Sequence, residues 1–133
     1  FSGLPGESLN VPYNAADIYG STSAEGFGLT IAEAIAAGVP AVAMDYSAVT
    51  EVVGDAGILV PYKDLIDNEY DHSWAAVDEA AFADAVIRLA RKPAMRRELG
   101  SRGPRRVAQM FSWDTAAVQF ANLGTPQSVE VAA

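Results

Sequence analysis

The chain of 133 residues, half of them hydrophobic and a fifth charged, has the length and composition of one globular domain and not of a disordered protein. It contains no cysteine and one histidine, which excludes disulfide scaffolds, thiolate zinc sites, cysteine nucleophiles and multi-histidine metal sites. The net charge of −8 argues against broad nucleic-acid binding, and no apolar run reaches the ~18 residues of a membrane span.

Short strands that alternate with helices are predicted in the first half of the chain. Residues 1–12, rich in Gly, Pro and Ser, predict a strand end and a loop, and residues 13–17 predict the end of a short helix. A short strand follows over 18–21. The Ala-rich run 29–37 predicts a buried helix, because it has no wide polar face, and Gly38 is placed to end it.

Two further apolar runs, 41–44 and 57–60, are short enough for strands that are buried on both faces of a sheet. Between them, residues 47–53 predict a turn and a short helix. Three such strands separated by helices predict an α/β fold with a parallel, doubly wound, Rossmann-like sheet and helices on both faces. A three-stranded sheet of this class is small and the chain begins at Phe1, so we expect a partial sheet, the C-terminal half of a larger domain.

The second half of the chain predicts a long polar loop and then helices. Residues 61–77 predict the loop, where His72 lies among acidic residues, and a solvated loop is favoured over a metal site. The aromatic residues of this loop have two possible roles: they pack on the domain, or they cover a ligand as a lid. The first predicted helix is 78–91, with Asp78 as the N-cap and with Phe82, Val86 and Leu89 on one face. A short helix from Pro93 to Gly100 follows, and Pro104 opens another. The final predicted helix is capped by Ser112 or Asp114 and ends before Gly124.

Residues 25–33, with the sequence EGFGLTIAE, carry the most chemical information in the chain. Here a strand end leads through a glycine-containing loop into a helix, whose first turn offers unpaired N–H groups and the positive end of the helix dipole. Such a helix start favours a phosphate group. Gly26 and Gly28 let a ligand approach the backbone and Thr30 adds a hydroxyl, so this segment predicts an anion-binding site.

Two carboxylates flank this helix start. Glu33 lies about one turn into the helix, where a phosphate would repel it, but it can accept hydrogen bonds from neighbouring hydroxyls such as those of a ribose. Glu25 lies before the helix and can do the same for a second sugar. The pattern predicts a ligand made of a sugar, a diphosphate and a nucleoside. The structural alternatives are a polar helix position for Glu33, a loop carboxylate or N-cap partner for Glu25, and simple turns for the glycines.

The run YNAADIYGSTSAEGFGLTIAEAIAAGVPAVAMDYSAVTEVVGDAGILVP, residues 13–61, closely resembles the C-terminal nucleotide-binding domain of retaining GT-B glycosyltransferases. It is most similar to the large group-1 family (family 4), whose members use nucleotide-sugar donors. Glu25 and Glu33 match the two ends of that family's E-x7-E motif, with GFGL between them and GVP and EVVGDAGILVP after them. The resemblance covers about residues 9–123.

The resemblance implies a role for each residue of the motif. Glu33 would bind the ribose hydroxyls of the nucleotide, and Glu25, the catalytic candidate, would contact hydroxyls of the transferred sugar. The backbone of the loop and helix start would meet the donor sugar and the diphosphate. The family transfers the sugar with retention at the anomeric carbon and needs neither a divalent metal nor another cofactor. The implied substrate-binding residues are Glu25, Gly26, Phe27, Gly28, Leu29, Thr30 and Glu33.

By the same resemblance, residues 1–124 are the C-terminal part of a GT-B donor-binding domain and residues 125–133 a tail. The acceptor-binding domain and the basic residues that bind the diphosphate would precede Phe1, so we expect this chain alone to be inactive. We expect the whole enzyme to be cytoplasmic. We also expect the open sheet edge of this chain to be covered by further strands or to cause self-association. The alternatives are a GT-B relative such as an epimerase or a phosphorylase, and a non-catalytic nucleotide-sugar-binding module.

The charge is distributed unevenly along the chain. Residues 1–87 carry 14 acids and one base, whereas residues 88–106 carry eight bases and one acid. The simplest interpretation of this basic segment is a solvated face of consecutive helices. The alternative is peripheral contact with the anionic inner face of a membrane, which would suit an enzyme with a lipid acceptor. No aromatic residue lies among the bases, which disfavours nucleic acid as the partner.

Overall fold

The computed structural model describes residues 8–67 and 73–123; His72 and the predicted tail 125–133 lie outside these residues. The elements in chain order are α1 (Asn10–Ala15), β1 (Tyr19–Ser21), α2 (Leu29–Ala36), β2 (Ala41–Met44), α3 (Val49–Val53), β3 (Gly57–Val60), β4 (Tyr62–Asp67), β5 (Ser73–Val77), α4 (Glu79–Arg91), α5 (Pro93–Met110) and α6 (Trp113–Leu123). The predicted loop at the start of the chain is wrong from Asn10 onward, where α1 begins.

Strands β1, β2 and β3 form a parallel sheet in that order, which confirms the predicted α/β class. The central position of β2 explains its apolar sequence, because all four of its residues are buried against helices on both faces. Strands β1 and β3 flank it; Gly20 of β1 is exposed, Val60 of β3 is buried, and their other residues are half-buried. The observed bounds of β2 and β3 are those that the apolar runs predict.

Helices cover both faces of this sheet, as predicted. On one face α2, α3 and the end of α5 enclose a core that includes Ile31, Ile35 and Val53, each fully buried. On the other face α4 and the start of α5 pack on β2 and β3 through Leu89 and Leu99. Burial of side chains of this size stabilises the fold by about 1.5–3 kcal/mol each, so these two clusters hold the sheet and the loops at its ends in place.

The predicted polar loop over 61–77 is wrong. Strands β4 and β5 form an antiparallel two-stranded sheet in which Ile66 pairs with Trp74, and the register is irregular between Tyr62 and Asp64. The charged residues of β4 make its sequence look like a loop, but its tyrosine and isoleucine favour the extended conformation. This hairpin projects from the sheet, and both Ile66 and Trp74 are exposed.

Helix α5 is continuous where the sequence predicts a break. Gly100 does not end the helix, and Pro104 lies inside it. A Cβ atom at Gly100 would overlap the carbonyl oxygen of Gly38, and one at Gly103 would overlap that of Ile35. The two glycines therefore let α5 approach the end of α2 closely, and this packing keeps the helix continuous despite the hydrogen bond that Pro104 removes.

The helix ends explain several polar residues. Asp78 caps α4, as predicted, through a 2.9 Å hydrogen bond from the backbone N–H of Ala81. Ser112 is the predicted cap that begins α6; its hydroxyl accepts a bond from the N–H of Thr115 at 3.1 Å. Ala37 is the C-cap of α2, and Gly38, which follows it, adopts a positive φ of 82°, so the predicted helix end is confirmed.

Two arginines of the basic segment 88–106 bond to backbone carbonyl groups at helix C-termini. The Arg96 guanidinium donates to two carbonyl oxygens in the last turn of α4, both at 2.7 Å. Arg106 donates to the Val52 carbonyl at the end of α3, at 3.1 Å. Helix ends leave such oxygens without intrahelical partners and carry partial negative charge, so cations stabilise them. The predicted wholly solvated face is therefore wrong for these two side chains.

Among the residues that the structure describes, no helix combines the length and the apolar composition needed to cross a membrane.

Candidate functional site

The loop that carries the predicted motif lies at the carboxyl edge of the parallel sheet. The segment between β1 and α2 follows the end of β1, and residues 45–48 follow the end of β2 at the same edge. In open α/β sheets, ligands bind in the crevice outside the carboxyl ends of the strands. The fold therefore places residues 25–33 at the edge where such a sheet binds its ligand.

Gly28 shapes the start of α2. It adopts the left-handed conformation with φ 90° and ψ 55°, and its carbonyl oxygen accepts bonds from the N–H groups of Ile31 and Ala32 at 3.1 and 3.0 Å. The N–H groups of Leu29 and Thr30 precede these bonds, so no carbonyl within the helix can accept from them. Two backbone donors and the positive end of the helix dipole thus meet at the loop.

The loop before α2 leaves its backbone accessible to a ligand. A Cβ atom built on Gly26 would have no atom within 4 Å, and the Leu29 side chain is 68% exposed. The Phe27 ring packs edge-to-face on Phe111, with centroids 5.2 Å apart, which fixes the loop against the end of α5. Beside it lies a cleft of about 710 Å³, lined by Gly26, Phe27 and Leu29 and by residues of α3, α5 and α6.

Glu33 projects from α2 into solvent, and Tyr13 contacts it. The Tyr13 hydroxyl donates a hydrogen bond of 2.7 Å to Oε2 of the Glu33 carboxylate. Burial of the phenol raises the pKa of Tyr13 to about 12, and the hydrogen bond to Glu33 and the negative charge of that carboxylate add to the rise. Tyr13 therefore stays protonated, and remains a donor, throughout the neutral range.

Thr30 has a similar partner. The Tyr19 hydroxyl donates to Oγ1 of Thr30 at 2.8 Å, and the rings of Tyr13 and Tyr19 lie 6.4 Å apart. Because the Thr30 oxygen accepts this bond, its own proton can be donated elsewhere. Two neighbouring tyrosines thus contact two polar side chains of the first turns of α2.

Glu25 lies in the loop and is partly buried, and a residue of the turn that follows β2 hydrogen-bonds to its backbone. The Ser47 hydroxyl donates to the Glu25 carbonyl oxygen at 3.0 Å. Ser47 is the one non-glycine residue with positive φ, 59°, among those that the structure describes. Such a conformation costs of order 1–3 kcal/mol and persists where the surroundings enforce it. The strained turn after β2 therefore supports the loop that carries Glu25.

The structure brings the predicted residues 25–30 and Glu33 together on one loop and the first turns of α2. The motif did not indicate Tyr13, Tyr19 and Ser47, which contact those residues across 11 to 22 positions of sequence. Only the packing of α1, β1 and β2 around α2 makes these contacts, so no local pattern could predict them. Within residues 8–67 and 73–123, no three His, Cys, Asp or Glu side chains gather where they could hold a metal ion.

Comparisons with known proteins agree with this geometry. The family described as "Glycosyl transferases group 1" matches residues 3–92. The chain is 39% identical over 111 residues to the D-inositol 3-phosphate glycosyltransferase of Saccharomonospora viridis, covering 81% of this chain and 22% of the relative. It is 36% identical over 124 residues to the MMP alpha-(1->4)-mannosyltransferase of Mycolicibacterium hassiacum, covering 89% of this chain and 26% of the relative.

A solved structure shares the fold. Sucrose-phosphate synthase from Thermosynechococcus elongatus superposes with a TM-score of 0.71 at 32% sequence identity, over 90% of this chain and 27% of the synthase chain. The chain thus spans about a quarter of the length of the proteins it matches. The motif, its position at the carboxyl edge of the sheet, and these similarities together show that the chain belongs to the group 1 glycosyl transferases and has their GT-B type of α/β fold.

Proposed function

We propose that this chain supplies the donor-binding part of a cytoplasmic glycosyltransferase, which transfers a sugar from a nucleotide-sugar to an acceptor with retention of the anomeric configuration. The observation that supports this most is the position of residues 25–33, with a carboxylate on each side of an open helix start at the carboxyl edge of the sheet. Family membership supports the reaction class.

The nucleoside end of the donor is assigned to Glu33. Its carboxylate is exposed, and Oε2 already accepts a bond from Tyr13. An ionised carboxylate has about four acceptor positions, so the second oxygen is free to accept from the hydroxyls of a ribose. A bond to a charged acceptor is worth more than one between neutral groups, which suits Glu33 to be the group that recognises the ribose.

The diphosphate is assigned to the start of α2. The N–H groups of Leu29 and Thr30 have no intrahelical acceptor, and the helix dipole favours an anion there. The Thr30 hydroxyl accepts from Tyr19, so its proton can be donated to a phosphate oxygen. A Cβ atom at Gly26 would have no atom within 4 Å, so a phosphate or sugar can approach the backbone there, whereas Gly28 is buried and its positive φ sets the turn into the helix.

The transferred sugar is assigned to Glu25. Glu25 precedes the helix start in the chain, whereas Glu33 follows it, and the Glu25 carboxylate can accept bonds from sugar hydroxyls and fix the reacting sugar relative to the diphosphate. The Ser47 bond to the Glu25 backbone holds its loop. Glu25 is the catalytic candidate for this reason, and its loss is expected to affect transfer more than nucleotide binding.

Two alternative activities lie outside transfer to an acceptor. A GT-B relative could act as an epimerase or a phosphorylase, and a non-catalytic module could bind a nucleotide-sugar without reacting. The relative from Mycolicibacterium hassiacum is named as a mannosyltransferase, so a mannose donor is the first to test, with other UDP-, GDP- and ADP-sugars in parallel. Appearance of a glycosylated acceptor in the full-length protein supports transfer over both alternatives.

The roles of the two glutamates are tested by removing one charge at a time in the full-length protein. We expect Glu33→Gln to lower the affinity for both the free nucleoside diphosphate and the intact donor by about ten- to a hundredfold, the loss expected when one charge-assisted hydrogen bond is removed. Glu25→Gln should leave the free nucleoside diphosphate nearly unchanged and should weaken the donor or slow transfer. Calorimetric titration and initial rates measure the two effects.

The matched control is Glu98→Gln, an exposed glutamate of α5. This part of α5 packs against Gly38, which precedes β2 at the opposite edge of the sheet, so the substitution should change neither affinity nor rate. Equal weakening of the bare nucleotide by Glu25→Gln and Glu33→Gln would contradict the division of roles. If neither substitution has an effect, the assignment of the donor site to residues 25–33 is wrong.

A further inference from the structure

One contact at the site joins Glu33 to an element that the motif does not include. Tyr13 lies on α1, ahead of the first strand, and reaches Glu33 across 20 positions of sequence with a 2.7 Å hydrogen bond. None of the residues of α1 belongs to the buried core. The contact is therefore not a by-product of close apolar packing around the carboxylate, and it needs its own explanation.

The geometry points to Tyr13 as a positioning residue that orients the Glu33 carboxylate for the ribose of the nucleotide, an inference that rests on the proposed function. The hydroxyl binds Oε2 and leaves the other carboxylate oxygen for the ligand. The neighbouring Tyr19 ring, 6.4 Å away, supports the Tyr13 ring from the strand side.

The physical advantage is that Glu33 is ordered before the nucleotide arrives. A glutamate on an exposed helix face samples several rotamers, and fixing such a side chain on binding lowers affinity by about two- to tenfold. A hydrogen bond already made in the free protein removes that loss. The raised pKa of Tyr13, about 12, keeps the donor proton in place wherever the protein is active near neutral pH.

The test compares Tyr13→Phe with the wild type in the full-length protein by calorimetric titration. The ligands are UDP, GDP and ADP, followed by the 2′,3′-dideoxy form of whichever binds. The substitution removes one hydroxyl and retains the ring. We expect affinity for the ribonucleotide to fall about two- to tenfold while affinity for the dideoxy form stays unchanged, so that discrimination between the two falls by the same factor.

Two further variants separate this role from a merely structural one. Tyr62→Phe, which removes a hydroxyl from a partly exposed tyrosine of β4, is the matched control and should alter neither affinity nor discrimination. In a Glu33→Ala background, Tyr13→Phe should have no further effect, because the carboxylate that it orients is gone.

The outcomes distinguish this inference from the proposed function. If no nucleotide binds the wild type, or if Glu33→Ala does not weaken binding, the proposed function fails and the role of Tyr13 falls with it. If Glu33→Ala weakens binding but Tyr13→Phe leaves discrimination unchanged, weakens both ligands equally or tightens the ribonucleotide, the positioning role alone is overturned.

Discussion

At the scale of single residues, the site depends on side chains that hold other side chains. Tyr13 contacts Glu33, Tyr19 contacts Thr30, and Ser47 contacts the backbone of Glu25. Each contact spans at least 11 positions of sequence. The residues that we propose to bind the donor, 25–30 and Glu33, form a local pattern in the sequence, whereas their supports arise where α1, β1 and the turn after β2 meet the loop and α2 in three dimensions.

The Tyr13 contact predicts an unusual titration. Because burial and the Glu33 carboxylate raise the pKa of Tyr13 to about 12, the hydroxyl contributes stability that is fully present below pH 10 and is lost as the pH rises through about 12. Spectrophotometric titration of the wild type against Tyr13→Phe isolates this phenol among the five tyrosines.

The Glu33→Gln variant tests the cause of the shift. It removes the negative charge, so the pKa of Tyr13 should fall toward its ordinary value, though not completely, because burial is the larger cause and remains. A Glu33→Gln titration identical to that of the wild type would show that the two groups do not interact in solution.

At the scale of elements, the apolar runs predicted the strands of the parallel sheet correctly, because burial on both faces leaves an unmistakable pattern in β2 and a clear one in β3. The hairpin of β4 and β5 was missed, since its strands are exposed and carry charged residues. Its pairing is decided by cross-strand contacts such as Ile66 with Trp74, which are not visible in either strand alone.

For the hairpin the sequence fails to predict elements that exist, whereas for helix α5 it predicts a break that is absent. Glycine and proline are normally signs of a helix end, so Gly100 and Pro104 predicted a break that does not exist. Gly100 and Gly103 lie where α5 meets the carbonyl groups of Gly38 and Ile35, and any side chain there would overlap them. A tertiary contact, not the local preference of the chain, selects glycine at these positions.

Replacement of Gly103 by alanine tests this explanation. The added methyl group would overlap the backbone oxygen of Ile35, so α5 must shift from α2, and overpacking of this kind costs about 1–3 kcal/mol. The gain in helix propensity, about 0.5–1 kcal/mol, offsets part of that cost. We therefore expect the free energy of unfolding, measured with urea, to decrease for Gly103→Ala.

Ser101→Ala is the matched control on the same helix. Ser101 is exposed and its hydroxyl bonds only to the nearby Glu98 carbonyl, so the substitution should change stability by no more than about 0.5 kcal/mol. Unchanged or increased stability in Gly103→Ala would mean that the close approach of α5 to α2 does not exist in solution.

At the scale of the whole molecule, the uneven charge has two components. Arg96 and Arg106 of the segment 88–106 bond to backbone carbonyls at helix ends, and their side chains are only 21% and 17% exposed. Both are half-buried, Arg96 against the end of α4 and Arg106 against the end of α3. The six other bases of the segment are exposed, and peripheral contact of these with an anionic membrane stays a prediction; they are Arg88, Arg91, Lys92, Arg97, Arg102 and Arg105.

In the described part of the chain, α6 presents apolar side chains and β1 presents an unpaired strand edge to solvent. None of the residues of α6 is buried, and Trp113, Phe120 and Leu123 are 91%, 79% and 83% exposed. Within the described residues, β1 pairs with β2 alone, so its outer edge is open. Exposed apolar patches and open edges of this kind mark surfaces that another part of a protein, or another copy, covers.

We therefore predict that the isolated chain self-associates. Its net charge of −8 opposes association by repulsion, but burial of Trp113, Phe120 and Leu123 provides about 1.5–3 kcal/mol for each large side chain removed from water. Light scattering over a concentration series should show a mass above that of the monomer. Phe120→Asp should reduce the association, whereas Ile87→Asp, which adds the same charge on exposed α4, should reduce it less. Association that survives Phe120→Asp would indicate a contact away from α6, such as the edge of β1, and a strictly monomeric chain at high concentration would contradict the prediction.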